Sequence, residues 1–302
     1  MTSPVPVRSA LDGPQITIDT FLNDPLRIQA LVFQAAAQQF LADALLRMTG
    51  PLKSNAVQYF TSTPFYSDSN AGKRAEFAEV PVAVGSYGTP AVTYVAERAL
   101  AILISDAMKR WQNIDQVNTQ LAQVRNTLVK TYDDAFIAAL LAANTQVVSG
   151  SAWGTATTAS AIRNDLIEAM KLVATAAAPG QNTAFGFTAD TLVIGQGRQF
   201  DLIRQEDFNK PYVGNIASEN LLYTGKLPNK IMGLDVVVSR ALDDSKAIVM
   251  QRKVSGFIAD DLPLQASGLY RDEPRKTWRC DVQRSSAIGF DQPLSMALID
   301  IS

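Results

Sequence analysis

Residues 113–144 read NIDQVNTQLAQVRNTLVKTYDDAFIAALLAAN, and the spacing of their apolar residues governs how the rest of the chain can be arranged. Val117, Leu121, Val124, Leu128, Tyr132, Ala135, Ala139 and Ala143 recur at intervals of three and four, one face of a single helix. Gln120, Gln123, Asn126, Lys130 and Asp133 lie off that stripe. Asn113 or Asp115 can serve as N-cap, and the next helix breaker is Gly150. A helix over 115–143 would be about 40 Å long, which reads either as a strut spanning a subunit or as one long helix in an ordinary α/β core.

Upstream of this helix, ERALAILISDAMKRW (97–111) reads as an apolar strand ending in a polar turn. Before it, Asn55 to Val95 has β-grammar: AVQYFTSTPFY as one long strand, SDSNAGKRAE as a polar turn, and FAEVPVAV with AVTYVAE returning. The pattern predicts an extended hairpin of about 40 residues that cannot bury both faces in its own subunit and so needs a neighbour. Residues 1–20, with Pro4, Pro6, Gly13 and Pro14, read as an extended arm. Asp24-Pro25 then starts a helix that runs to about Met48 and stops at Gly50-Pro51. This helix either packs on its own subunit or reaches another chain.

Downstream, VVSGSAWGTATTAS (147–160) reads as a small-residue loop. A second amphipathic helix follows, capped by Ser160, with Ile162, Leu166, Met170 and Val173 on its apolar face and Pro179-Gly180 at its end. Short units then alternate: strand TLVIG, helix QGRQFDLIRQ, strand DVVVS and strand KAIVMQ. Residues 206–233 form a polar excursion, and TWRCDVQ, SAIGF and LSMALIDI close the chain as three strand-like runs.

Composition narrows the function classes. The 302 residues are 47% apolar and 19% charged, as in a globular protein with a sizeable core. A net charge of −2 argues against a free-standing specific nucleic-acid binder, though such a protein can still face packed DNA. Histidine is absent, which removes the commonest general base and metal ligand and every His-based triad. Cys280 is the single cysteine and reads as a small buried hydrophobe in a strand, so no intrachain disulfide or cysteine metal site is expected. No apolar run approaches a membrane span, and a soluble protein without a signal peptide is expected.

Candidate motifs reduce to structural readings. Gly195-Gln196-Gly197 follows a strand and precedes a helix, as a phosphate turn would, but Phe200 stands where a third glycine belongs. Asp133-Asp134 diverge by about 100° on a helix and read as surface or salt-bridge residues rather than a catalytic pair. Asp243-Asp244 and Asp260-Asp261 read as loop acids. No catalytic, cofactor-binding or metal site is expected.

The order of parts resembles the major capsid proteins of tailed bacteriophages, with their α+β Hong Kong 97 fold. The resemblance rests on the hairpin at about 55–95, on ERALAILISDAMKRW with the helix after it, on TADTLVIGQGRQFDLIRQED, and on the ending TWRCDVQRSSAIGFDQPLSMALI. The Ala-rich style is similar to capsid proteins of actinobacterial phages. The resemblance implies an N-terminal arm and helix (1–54), an extended β-hairpin loop (55–96) and a peripheral domain (97–180) with its spine helix at 115–143. It further implies an axial domain (181–254), peripheral return strands (255–285) and an axial C-terminal strand (286–302). The implied function is mechanical: pentamers and hexamers closing an icosahedral shell around double-stranded DNA, assembled in the host cytoplasm and located in the virion.

The implied partners are neighbouring subunits, a portal, packaged DNA met without sequence specificity, and a separate scaffolding protein or none, with a decoration protein left open. No membrane and no cofactor are implied. Some relatives join a hairpin-tip lysine to an asparagine with help from a glutamate. Lys73 could supply the amine, but PRKTWRCDVQR offers neither Asn nor Glu, so a non-covalent shell is expected. Intersubunit contacts are expected from the hairpin residues Tyr59, Phe60, Phe65, Lys73, Arg74, Glu76, Phe77 and Glu79. Encapsulins, which share the fold and hold cargo enzymes, are the alternative, and a monomeric α/β enzyme is a more distant one.

Overall fold

A computed structural model describes residues 40–67, 71–80, 82–111, 114–154, 160–204, 230–267 and 270–301. The expectations for the arm and for the start of the first helix lie outside these residues, as does nearly all of the polar excursion at 206–233. The described residues fall into two compact units, one holding 99–127 and 264–283, the other holding 40–98, 128–263 and 284–301.

The second unit is built on a six-stranded sheet. Its strands are β5 (Val147–Gly150), β6 (Thr191–Gly195), β7 (Lys230–Ile231), β8 (Leu234–Ser239), β9 (Lys246–Met250) and β13 (Met296–Ile301), in the order β5-β13-β9-β6-β8-β7. The central strands TLVIG and KAIVM are buried almost throughout, because both faces of the sheet are covered. Alternation sorts their side chains. Leu192, Ile194, Ala247, Val249, Ala297 and Ile299 join Ile162, Leu166, Ala169 and Val173 of helix α4 (Ala161–Thr175). Val193, Ile248, Met250 and Met296 face the other way, towards Phe136, Ile137 and Leu140 of the long helix α3 (Ile114–Ala143). Asp165, buried on α4, accepts bonds from the Trp153 indole at 3.0 Å and the Ser151 amide at 2.8 Å, fixing the entry to that helix.

The 30-residue α3 agrees with its spacing, but its C-terminal half buries a line different from the one expected. Leu128, Tyr132, Phe136 and Leu140 are buried, whereas Ala135, Ala139 and Ala143 only flank them, because the larger side chains are the ones that can fill the space against the sheet. Asp134 is exposed as expected, whereas Asp133 is half-buried. Its Oδ1 accepts the Leu41 amide at 3.0 Å and so caps helix α1 (Leu41–Leu45) from outside.

Tertiary structure corrects several further expectations. The first helix does not reach Met48: Leu46 is extended, and β1 (Arg47–Thr49) pairs in parallel with Phe257–Ala259 of β10 (Phe257–Ala266). An available strand edge overrides the helical continuation that residue preference allows. VVSG is strand rather than loop, since β13 offers it a parallel partner. Ser160 holds the N-cap position of α4 without a side-chain capping bond, and α4 ends at Thr175, before Pro179. Asp260 and Asp261 lie within β10. The runs TWRCDVQ and SAIGF are one strand, β12 (Thr277–Gly289).

In the first unit, the expected polar turn after strand β4 (Ala96–Ser105) is helix α2 (Asp106–Trp111), whose Met108 amide bonds to Ser105 Oγ at 3.1 Å. Strand β11 (Tyr270–Asp272) pairs antiparallel with the start of β12. Cys280 is buried there, as expected, its thiol pushed above its ordinary pKa by burial, and it donates to Ser267 O. Arg271 ties this unit together, meeting Asp106 at 3.0 Å, Glu273 at 2.6 Å and the ring of Trp278.

Candidate assembly interface

Strands β2 (Ala56–Thr61) and β3 (Thr89–Tyr94) pair antiparallel from Ala56↔Tyr94 to Thr61↔Thr89. The ribbon is therefore six residues long, not the long hairpin expected. The described residues of FAEVPVAV form no strand, and Ser62 turns out of the ladder with φ 54°. Pro64, Pro81, Gly85 and Gly88 explain the early end, since prolines lack the ladder donor and glycines weaken strands. Gly88 is required at the crossing: a Cβ there would lie 2.0 Å from the Thr61 carbonyl oxygen.

The base of this ribbon is fixed to its own unit. Tyr59 meets Phe257 edge to face at 5.2 Å, Thr93 Oγ1 donates to Ile288 O at 2.8 Å, and the Ser62 amide donates to Asp291 O at 2.9 Å. Beyond Ser62 the chain first touches its own subunit through Phe65 and then leaves it. Among residues 71–87, every described position except Ala78 is exposed. Phe77, 95% exposed and held at φ 64°, sits in a turn closed by the Ala78 amide on Ala75 O and by Arg74 Nε on Ala78 O.

The expected contact residues therefore divide. Lys73, Arg74, Glu76, Phe77 and Glu79 lie together on the exposed stretch. Phe60 is partly exposed beside Tyr87, Tyr59 is half-buried on Phe257, and Phe65 lies against Phe185 and Phe187. Sequence reading missed Val80, Val82, Val84 and Tyr87, all exposed on the same stretch. The alternating valines of EVPVAV are the available signal, and the same alternation is what predicts a returning strand there.

A second cluster was not foreseen. Arg284, 3% exposed on β12, makes paired hydrogen bonds to Asp43 at 2.8 and 3.0 Å and to Asp260 at 3.1 and 3.2 Å. Its guanidinium lies 5.0 Å from the ring centre of Phe40 and 5.5 Å from that of Tyr132, and Tyr132 Oη donates to Arg284 O at 2.5 Å. Burial pushes the Tyr132 pKa up to about 12, although Arg284 and Arg98 act against the rise. Burial also raises Asp260, offset by Arg284, and it raises Asp133 to about 6, helped by Asp134 and Asp43 against the Leu41 amide bond. Burial acts to lower Arg284, but Asp43 and Asp260 outweigh it and hold the guanidinium above its usual value. Four of the five guanidinium N–H donors are held by two carboxylates and the side chain is only 3% exposed, so the cluster is structural.

Gly195-Gln196-Gly197 is likewise filled. Asp244 Oδ1 accepts the Gly197 amide at 3.0 Å, and a Cβ at Gly195 or Gly197 would lie 2.3 or 2.2 Å from that carboxylate. An acid occupies the place a phosphate would need, which supports the strand-to-helix turn over a nucleotide site. Among the described residues no group of acids or cysteine is placed to hold a metal ion, and no helix is long and apolar enough to cross a membrane.

A long helix, a short hairpin with an exposed connecting stretch and a covered central sheet define an α+β capsid fold of the Hong Kong 97 type. Residues 88–274 match the phage capsid protein family, and the chain belongs to that family. Among solved structures it is similar to the capsid of the cyanophage P-SCSP1u, with TM-score 0.63, 14% identity, and coverage of 87% of this chain and 88% of that one. It is also similar to the virus-like particle from Pyrococcus furiosus, with TM-score 0.62, 12% identity, and coverage of 91% and 98%. A Mycobacterium phage Che8 structure gives TM-score 0.55 at 15% identity, covering 82% and 85%. A search of curated protein sequences gives no match. The chain is a capsid structural protein, a class that works by association of its own copies.

Proposed function

We propose that this chain is the major capsid protein of a tailed phage, forming the pentamers and hexamers of an icosahedral shell around double-stranded DNA. The role is mechanical, without catalysis, and shell contacts are non-covalent. The observation that carries this reading is the stretch 71–87, which leaves its own fold while presenting Phe77, Val80, Val82, Val84 and Tyr87. An apolar surface of that kind is stable in water when a partner covers it, and in a capsid protein that partner is a neighbouring copy. A portal would be a further partner of the shell, with a scaffolding or decoration protein where one is present.

The test is to replace residues 71–86 with a short Gly-Ser linker and follow particles by electron microscopy and sedimentation. We expect a folded subunit with an unchanged melting temperature that no longer closes shells. Normal shells from this variant would overturn the clamp. The encapsulin-type reading is favoured by one observation, the likeness to a virus-like particle over 98% of that chain. Native particles filled with DNA exclude it, and particles filled with a protein cargo establish it.

A further inference from the structure

The loop meets its own subunit again beyond its base at Phe65 and Tyr66, and this deepens the clamp reading on which it rests. Phe65 lies edge to face on Phe185 at 4.9 Å and on Phe187 at 5.8 Å, and these two rings stack on each other at 5.0 Å. The adjacent Tyr66 carbonyl accepts Gln181 Nε2 at 3.1 Å. The receiving segment is itself held. Phe185 N bonds to Ala176 O at 2.8 Å, Gln181 N bonds to Ala178 O at 3.0 Å, and Ala177 bridges to Ala184. Phe185 and Phe187 are buried, whereas Phe65 remains 56% exposed, so Phe65 rests on a built surface rather than completing the core.

We propose that Phe65 and Tyr66 form a latch that parks the first part of the loop on the Gln181–Phe187 segment. The latch gives residues 71–87 a fixed starting direction before a second copy is met. Two joints bound the latched piece: Ser62, in the left-handed region, and Gly88, where no side chain fits. With the latch closed, a neighbouring copy meets a surface that is already ordered, and less conformational freedom is lost on association. With it open, the loop loses its hold at Phe65 and Tyr66 and moves more freely about Ser62 and Gly88. The device works without any change in β2 and β3, which Tyr59 and Thr93 hold independently.

The test compares the full-length wild type with Phe65→Ala and Phe65→Leu, as dilute unassembled subunits and in assembly. Amide exchange of the peptide spanning 62–67 should quicken about three- to tenfold in Phe65→Ala, the size expected for one lost edge-to-face contact. Phe65→Leu should fall between the two, and exchange in β2 and β3 should not change. Trypsin cleavage after Lys73 and Arg74, identified by fragment mass, should quicken in parallel, and shell formation should slow. Unchanged exchange at 62–67 in Phe65→Ala overturns the latch. Faster exchange with wild-type assembly kinetics overturns its role in assembly. Because exchange and cleavage are read on the free subunit, they judge the latch even if the wild-type chain forms no shells and the capsid reading itself fails.

Discussion

Arg284 and Phe77 occupy opposite extremes of the same unit. The first is a charged side chain with 3% of its surface exposed, and the second is an aromatic with 95% exposed. Each breaks the usual sorting of polar and apolar residues, which is why each is informative. Arg284 is tolerated inside because Asp43 and Asp260 take its donors and two rings cover its faces. Everything it needs is supplied by one chain. Among the described residues nothing gives Phe77 such cover, and the proposed clamp would place the contact that stabilises it in another copy. A substitution at the cluster should therefore be felt in folding, and one at the loop in assembly.

The largest expected effect tests that division. Arg284→Met should destabilise the subunit by about 3–5 kcal/mol, because it strands the Asp43 and Asp260 carboxylates away from water. At the usual scaling this lowers the melting temperature by about 6–15 °C. Replacing Asp43 and Asp260 by leucine in the same chain should recover much of that loss, since the cost lies in the unpaired charges. Calorimetry of Phe77→Ser alongside should show no change in melting temperature. If Arg284→Met melts with the wild type, the cluster does not hold α1, β10, β12 and the long helix together.

A smaller effect, with a definite pH dependence, is expected at Asp133. Its carboxyl is raised from 3.8 to about 6 in the folded chain, first by burial and then by Asp134 and Asp43, with the Leu41 amide bond opposing. Between those values the folded chain binds the proton that the unfolded chain has released. This residue's contribution to stability is therefore full below pH 4, falls as pH rises to about 6, and is flat above. Asp133→Asn keeps an acceptor for Leu41 and removes the charge. Its melting temperature should match the wild type near pH 4 and exceed it by about 2 °C near pH 8. A constant difference across that range would show that Asp133 does not titrate as its surroundings require.

The two regions also differ in how far they could be read from sequence. The long helix, α4, TLVIG, DVVVS and KAIVMQ were legible because period and length agree with what they became. The loop was legible in part: its aromatic and charged residues stand out, but EVPVAV alternates like a strand and has no partner strand among the described residues. The Arg284 cluster was not legible at all. Asp43, Asp260 and Arg284 lie far apart in sequence, and a buried ion group leaves no local periodicity. The same holds for β1, where only the edge of β10 makes Arg47–Thr49 a strand rather than the end of a helix.

The smallest effect separates two adjacent cations of the loop. Lys73 and Arg74 are adjacent and exposed, with Glu76 and Glu79 close behind. Exposed charge pairs contribute little and are screened by salt, so Lys73→Glu should change the critical concentration for assembly by less than about threefold. That change should fade by about 0.5 M salt, where the screening length is only a few ångströms. Arg74 has a second task, because its Nε bonds to Ala78 O at 2.5 Å and closes the turn that holds Phe77 at φ 64°. Arg74→Glu should therefore weaken assembly more than Lys73→Glu does, and the excess should persist in high salt because it comes from a loosened turn. Arg74→Gln, which keeps a donor without the charge, should recover part of that excess. Light-scattering assembly curves across a salt series measure all three. Equal, fully salt-screened losses for Lys73→Glu and Arg74→Glu would mean that the turn contributes nothing and that the loop tip acts through charge alone.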